Sequence, residues 1–263
     1  MNTLVAPIPK THSVMYALRL FATESRYALL QVWRQPSFTI PTLLFPLAFY
    51  ALFGLLLPSK TGNAAPAQYL LATYGAFGVI GPALFGFGVG MAMEREMGWL
   101  SLKRASPMPM AAYFFAKLVS SMAFGAAVVL ALSALAASAG GVQLDAWRWP
   151  LLWVLLIVGS VPFCAMGLWI GSLVDAKASV AVVNLIYLPM SVFSGLWFPI
   201  GAFPEFLQKM ALFLPAFHLG DLALTVVGVR QANVGLSLAV LMGYTVLFLA
   251  LALMAQRRQS RSR

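Results

Sequence analysis

The chain has 263 residues, of which 61% are hydrophobic and 9% are Asp, Glu, Lys or Arg, and its formal charge is +10. An ordinary soluble domain carries about 25% charged residues, and seven acidic plus seventeen basic side chains cannot coat a chain of this length in water. That excludes a soluble protein and requires lipid to cover most of the surface. The first predicted element is amphipathic. Val14, Leu18, Phe21, Ala28 and Val32 recur at helical spacing, while Arg19, Glu24, Arg26, Gln31 and Arg34 occupy other faces. The spacing predicts an interfacial helix over 13–35, with Pro36 turning the chain into the membrane. Anchoring and contact with a partner are both open roles for it. Four basic residues precede the first apolar run, which lies too far from Met1 for a cleaved signal peptide.

Six apolar runs follow, near Phe38–Leu57, Tyr69–Met93, Tyr113–Ala139, Pro150–Val174, Ala178–Pro199 and Ala232–Met254. Each has about the 20 residues that a helix rising 1.5 Å per residue needs to cross a bilayer core of roughly 30 Å. The runs are continuous rather than alternating, which argues against a β-barrel. The sole cysteine, Cys164, lies inside the fourth run, so no disulfide or thiolate cluster can form within one chain.

Six spans place both termini on one side. Thirteen basic residues then fall on the terminal side: Lys10, Arg19, Arg26, Arg34, Arg95, Lys103, Arg104, Lys117, Lys177, Arg257, Arg258, Arg261 and Arg263. Only Lys60, Arg148, Lys209 and Arg230 fall on the other. This asymmetry predicts cytoplasmic termini in a cell's inner membrane, and it accounts for the positive charge without nucleic acid. The basic tail Gln256–Arg263 is expected to rest against anionic headgroups.

Few residues suggest chemistry. Gly54-Leu-Leu-Leu-Pro-Ser-Lys60-Thr61 imitates a phosphate-binding loop, but it straddles the outer end of a span and lacks the strand and helix that such a loop joins. Gly86, Gly88 and Gly90 mimic a dinucleotide fingerprint; inside an apolar helix they are read as sites of close helix packing. His218 and Asp221 stand three apart, with Glu205 in the same outer loop, so a metal or acid/base site is conceivable there beside the simpler reading of solvated or hydrogen-bonded side chains. His12 stands alone on the opposite side. The span interiors hold only mild polarity, at Tyr74, Ser120, Ser121, Asn184 and Ser191, and no carboxylate or arginine of the kind that couples ions to transport. Any uphill transport must therefore draw its energy from a partner subunit. Asn184, Ser191 and Phe193 are the candidates for lining a pathway, on the second and fifth spans' side of the bundle.

The loop after the second span reads Glu94-Arg95-Glu96-Met-Gly98-Trp99-Leu100-Ser-Leu102-Lys103-Arg104-Ala-Ser-Pro107-Met-Pro109. It is similar to the cytoplasmic loop of type-2 ATP-binding-cassette (ABC-2) exporter permeases, matching at Glu94, Arg95, Glu96, Gly98, Leu100 and Pro107. Met97–Ala105 can form a short helix that Pro107 and Pro109 keep separate from the third span. Its charged start and its apolar Trp99, Leu100 and Leu102 suit insertion into a groove on a soluble subunit. A second resemblance lies in Ser194-Gly195-Leu-Trp-Phe-Pro199, Pro204-Glu205-Phe206, Pro215 and His218-Leu-Gly-Asp221, where the family places a helical hairpin dipping into the outer leaflet. The segment Phe206–Phe213 is too short to span.

The expected architecture is therefore an all-α, single-domain membrane protein. It has six transmembrane helices, an interfacial helix over 13–35, a coupling loop over 94–110 and a re-entrant hairpin over 200–222. The resemblance implies a permease subunit of an ATP-driven exporter, paired with a second permease copy and with separate ABC ATPase subunits. ATP and magnesium are expected on those subunits, with no cofactor in this chain. The cargo class, whether drug, lipid or polysaccharide, stays open. The rivals are a secondary transporter or channel, and a membrane enzyme acting at the outer face through His218, Asp221 or Glu205.

Overall fold

The computed structural model describes residues 14–56, 65–106 and 108–261. Lys10, His12, Lys60, Thr61 and Pro107, together with the side chain of Arg104 and those of the tail from 257, lie outside the described residues. Helices account for nearly all of the rest, with no strand among the described residues. The chain is an all-α, multi-pass membrane protein.

Helix α1 (Val14–Trp33) lies against α6 (Met110–Ser138) through Phe21 on Phe115 at 5.4 Å and Trp33 on Phe124 at 5.8 Å. At the corner after α1, Thr39 Oγ1 donates to the Val32 carbonyl at 2.7 Å. Pro36 then opens α2 (Pro36–Tyr50), where a missing N–H costs nothing because the first helical amides have no partner in any case. Helix α2 continues as a π turn over Ala51–Leu56, and its apolar stretch Thr39–Leu55 is shorter than the other spans.

The second span occupies the centre of the bundle. It comprises α3 (Ala65–Leu84), a π turn over Phe85–Val89 and α4 (Gly90–Glu96), and 78% of its most apolar window is buried. A π turn disturbs the regular ladder of backbone bonds, and carbonyls freed inside a bundle need donors from elsewhere. Helix α6 supplies them: Ser121 Oγ donates to the Pro82 carbonyl at 3.2 Å and Lys117 Nζ to that of Gly86 at 3.5 Å. On the other flank α8 (Val161–Leu173) crosses the same turn so closely that a Cβ on Gly171 would lie 2.6 Å from the Gly88 oxygen.

The fourth apolar run forms one span as expected, Arg148–Leu173, but with an interruption inside it. Helix α7 (Arg148–Val158) ends at Gly159–Ser160, and α8 restarts with Pro162 in its first turn. Pro162 has no amide to offer the Val158 carbonyl, so a continuous α-helix is denied there. Helix α9 (Ala176–Phe193) and α12 (Val234–Arg261) are spans on the outside of the bundle, with 28% and 17% of their apolar windows buried. Between them α10 (Glu205–Ala211) and α11 (Pro215–Val226) meet at 89°. Neither reaches the length needed to cross alone.

Candidate functional site at the α4–α5 corner

Helix α4 ends and α5 (Trp99–Ala105) begins at a single residue, Gly98. Its φ of 76° is left-handed, a conformation that a side chain makes costly, and its carbonyl accepts the first amides of α5 from Ser101 and Leu102 at 3.1 and 3.2 Å. The short helix is therefore a separate element from the span that carries it.

Within α5 the side chains divide. Leu100 is buried against the bundle, whereas Trp99 is 47% exposed, Leu102 71% and the preceding Met97 57%. Leu100, expected to enter a partner together with Trp99 and Leu102, thus holds the helix to its own chain. Lys103 forms an ion pair with Glu24 of α1 and sits 4.7 Å above the ring of Tyr113.

Glu94 also points inward. It is 4% exposed; its Oε2 accepts from the Tyr113 hydroxyl at 2.6 Å and its Oε1 from Lys117 Nζ at 2.9 Å, with Gln31 Nε2 at 3.4 Å. The sequence suggested a carboxylate at a docked surface, and the structure makes it the hub joining α1, α4 and α6. A carboxylate buried this deeply requires such partners. Arg95 and Glu96 turn instead to the α8–α9 corner.

Tyr113, Lys117, Gln31 and Glu24 are site residues that the sequence reading missed. The signal was present: Tyr113 and Lys117 stand four apart on α6, and Glu24 and Gln31 seven apart on α1, so each pair shares a helix face.

The residues expected at an outer gate are distributed along the α10–α11 pair and the turn before it. Pro199 precedes a 3-10 turn at Ile200–Ala202, Pro204 caps α10, and Pro215 opens α11. Glu205 is exposed, as are Phe206 and Phe213. His218 is buried, with Nε2 donating to the Leu212 carbonyl at 2.8 Å and Nδ1 3.1 Å from the Ser237 hydroxyl. Asp221 pairs with Arg230 at 3.1 Å. His218 and Asp221 are buried one turn apart on α11, whereas Glu205 stands exposed on α10, and among the described residues no three His, Cys, Asp or Glu side chains are grouped to hold a metal.

Of the pathway candidates, Asn184 lines a cleft of about 240 Å³ between α2, α3 and α9, beside Phe45, Gly81 and Tyr187. Ser191 is buried and spends its hydroxyl on the Tyr187 carbonyl at 2.7 Å. Phe193 is 38% exposed at the end of α9. Only a few α3 residues, among them Phe77 and Gly78, reach the cleft, because the rest of that helix is enclosed.

Comparison with known proteins agrees with this geometry. The chain is 25% identical over 231 residues to a protein of Bacillus subtilis (strain 168) named as a transport permease, YvfS, and the match spans 87% of this chain and 94% of the relative. A family model described as ABC-2 type transporter matches residues 19–228, which include the α4–α5 corner, the cleft and the hairpin. The chain therefore belongs to the ABC-2 type transporter family and is a membrane transport permease subunit.

Proposed function

We propose that this permease is the membrane half of an ATP-driven exporter, in which α5 docks into a separate ABC ATPase subunit. The observation that carries the reading is the division of α5: Leu100 and Lys103 fasten it to the bundle, while Met97, Trp99 and Leu102 stand out as one apolar knob. Exposed tryptophan on a rigid support is a favoured interface anchor. ATP and magnesium belong to that subunit in this scheme. Two permease copies meet across the exposed faces of α2 and α9, where Ile40, Leu44, Leu185 and Leu188 flank the Asn184 cleft, and the cargo passes between them. The hairpin from Pro199 to Asp221, with Glu205 and Phe206 at its exposed start, serves as the outer gate. The cargo is a drug, lipid or polysaccharide, moved outward through the inner membrane.

Replacing Trp99 and Leu102 together by Ser tests the docking. Both side chains are exposed, so folding should be unaffected. Loss of two anchors at about 2 kcal/mol each, about 4 kcal/mol together, should weaken ATPase binding on the order of 1,000-fold. Copurification of the permease with its ATPase reads this directly, and undiminished recovery of the double variant would remove α5 from the interface.

Orientation has its own test in a Cys164→Ser background. Gln143→Cys should react with an impermeant thiol reagent added to intact cells, and Ser101→Cys on α5 should react only after the cells are opened. Labelling of Ser101→Cys in intact cells would reverse the sides.

A further inference from the structure

The two residues that follow Glu94 reach a different part of the molecule. Helix α8 ends at Leu173 and α9 starts at Ala176, and a helix end leaves carbonyls, as a helix start leaves amides, without partners along the chain. Arg95 donates to the Ser172 carbonyl and, through Nη2, to that of Val174 at 2.7 Å. Glu96 Oε2 accepts from the amide of Ala176 at 3.2 Å. Asp175 occupies the capping position of α9 but makes no side-chain cap hydrogen bond, so Glu96 does this from another helix. The charges suit the two helix ends as well, with a cation at the C-terminus of α8 and an anion at the N-terminus of α9. Asp175 also stands 3.8 Å from Arg95, but its side chain is 92% exposed and contributes little.

We infer that Arg95 and Glu96 are positioning residues that carry the movement of the docked α5 helix into α9, by clamping the end of α4 to the α8–α9 corner. This rests on the docking reading above. Only Met97 and Gly98 separate the clamp from α5, so displacement of the knob reaches Arg95 and Glu96 within a few residues. Helix α9 is less tightly enclosed by its own chain than the central span, with 28% of its apolar stretch buried against 78%, and it forms one wall of the Asn184 cleft, so a shift of α9 reaches that cleft. The Glu94 hub has the complementary role of holding α4 to α1 and α6.

The test uses the permease with its ATPase in lipid nanodiscs. Val180, 41% exposed on α9 and next to the clamped corner, is changed to Cys in the Cys164→Ser background and labelled with an environment-sensitive fluorophore. ATP should alter the emission in the otherwise unsubstituted chain. Arg95→Gln should reduce that response about tenfold, the scale of one lost charge-assisted contact, while the ATPase stays bound. Arg95→Lys should restore part of it, because an ammonium still donates to one carbonyl. Glu96→Ala should give a smaller reduction, and since Glu96 is exposed it decides the matter if Arg95→Gln fails to fold. A full response in both Arg95→Gln and Glu96→Ala, or no ATP response before either change, overturns the inference. Retention of the ATPase after Trp99→Ser with Leu102→Ser would defeat the docking reading instead, so the two failures are distinguishable.

Discussion

Glu94→Ala should lower the apparent unfolding midpoint of the purified permease by about 6–20 °C. The change deletes one member of a buried ion pair and leaves Lys117, whose side chain is 14% exposed, beside Tyr113 with no carboxylate to meet. Stranding a buried charge costs about 3–5 kcal/mol, against about 1 kcal/mol or less for an exposed pair. For a chain of this size each kcal/mol moves the midpoint by about 2–4 °C. The cost arises mainly from the partner left behind, so Glu94→Gln combined with Lys117→Met should lie closer to the parent than Glu94→Ala does. Thermal unfolding followed by intrinsic tryptophan fluorescence in one detergent measures all three. An unchanged midpoint for Glu94→Ala would mean that the hub does not hold the three helices together.

Gly171→Ala should also be strongly destabilising, although it adds only a methyl group to a helix. The added Cβ would fall 2.6 Å from the Gly88 oxygen and 2.7 Å from that of Phe87. These are backbone atoms of the central span, and they cannot swing aside as the end of a side chain can. Helix α8 would have to retreat from the π turn, opening gaps along a packed interface, at a cost of about 1–3 kcal/mol or more. Gly243→Ala is the control: it lies in α12, where an added Cβ meets nothing within 4 Å, and no loss is expected. The same thermal measurement distinguishes them, and equal midpoints for the two variants would contradict the close crossing.

Most of the spans were legible in the sequence because apolar length is a direct demand of the bilayer, the first being shorter than its run suggested, whereas a helical hairpin near α10 was expected only from a family resemblance. The break at Gly159–Ser160 was harder to read, since hydropathy remains high through Pro162 and only the missing amide marks it. Glu94 shows a more general limit. Its position in a charged stretch resembles that of Glu96, yet one is buried and the other exposed. Which of the two turns inward depends on Tyr113 and Lys117 from another helix, and neighbours along the chain do not encode that. Leu100 and Leu102 divide for the same reason: on a short helix, two apolar residues two apart cannot share one face.

The bend between α10 and α11 is held in place by α12. Its peptide carbonyls at Leu212 and Phe213 need donors that hydrocarbon cannot provide. His218, itself bonded to Ser237 of α12, serves the first, and Tyr244 of α12 serves the second at 2.6 Å. The hairpin thus hangs from α12 as from a strut. Its position is therefore set by two residues of one neighbouring helix, Ser237 through His218 and Tyr244 directly, and any shift of α12 carries the bend with it.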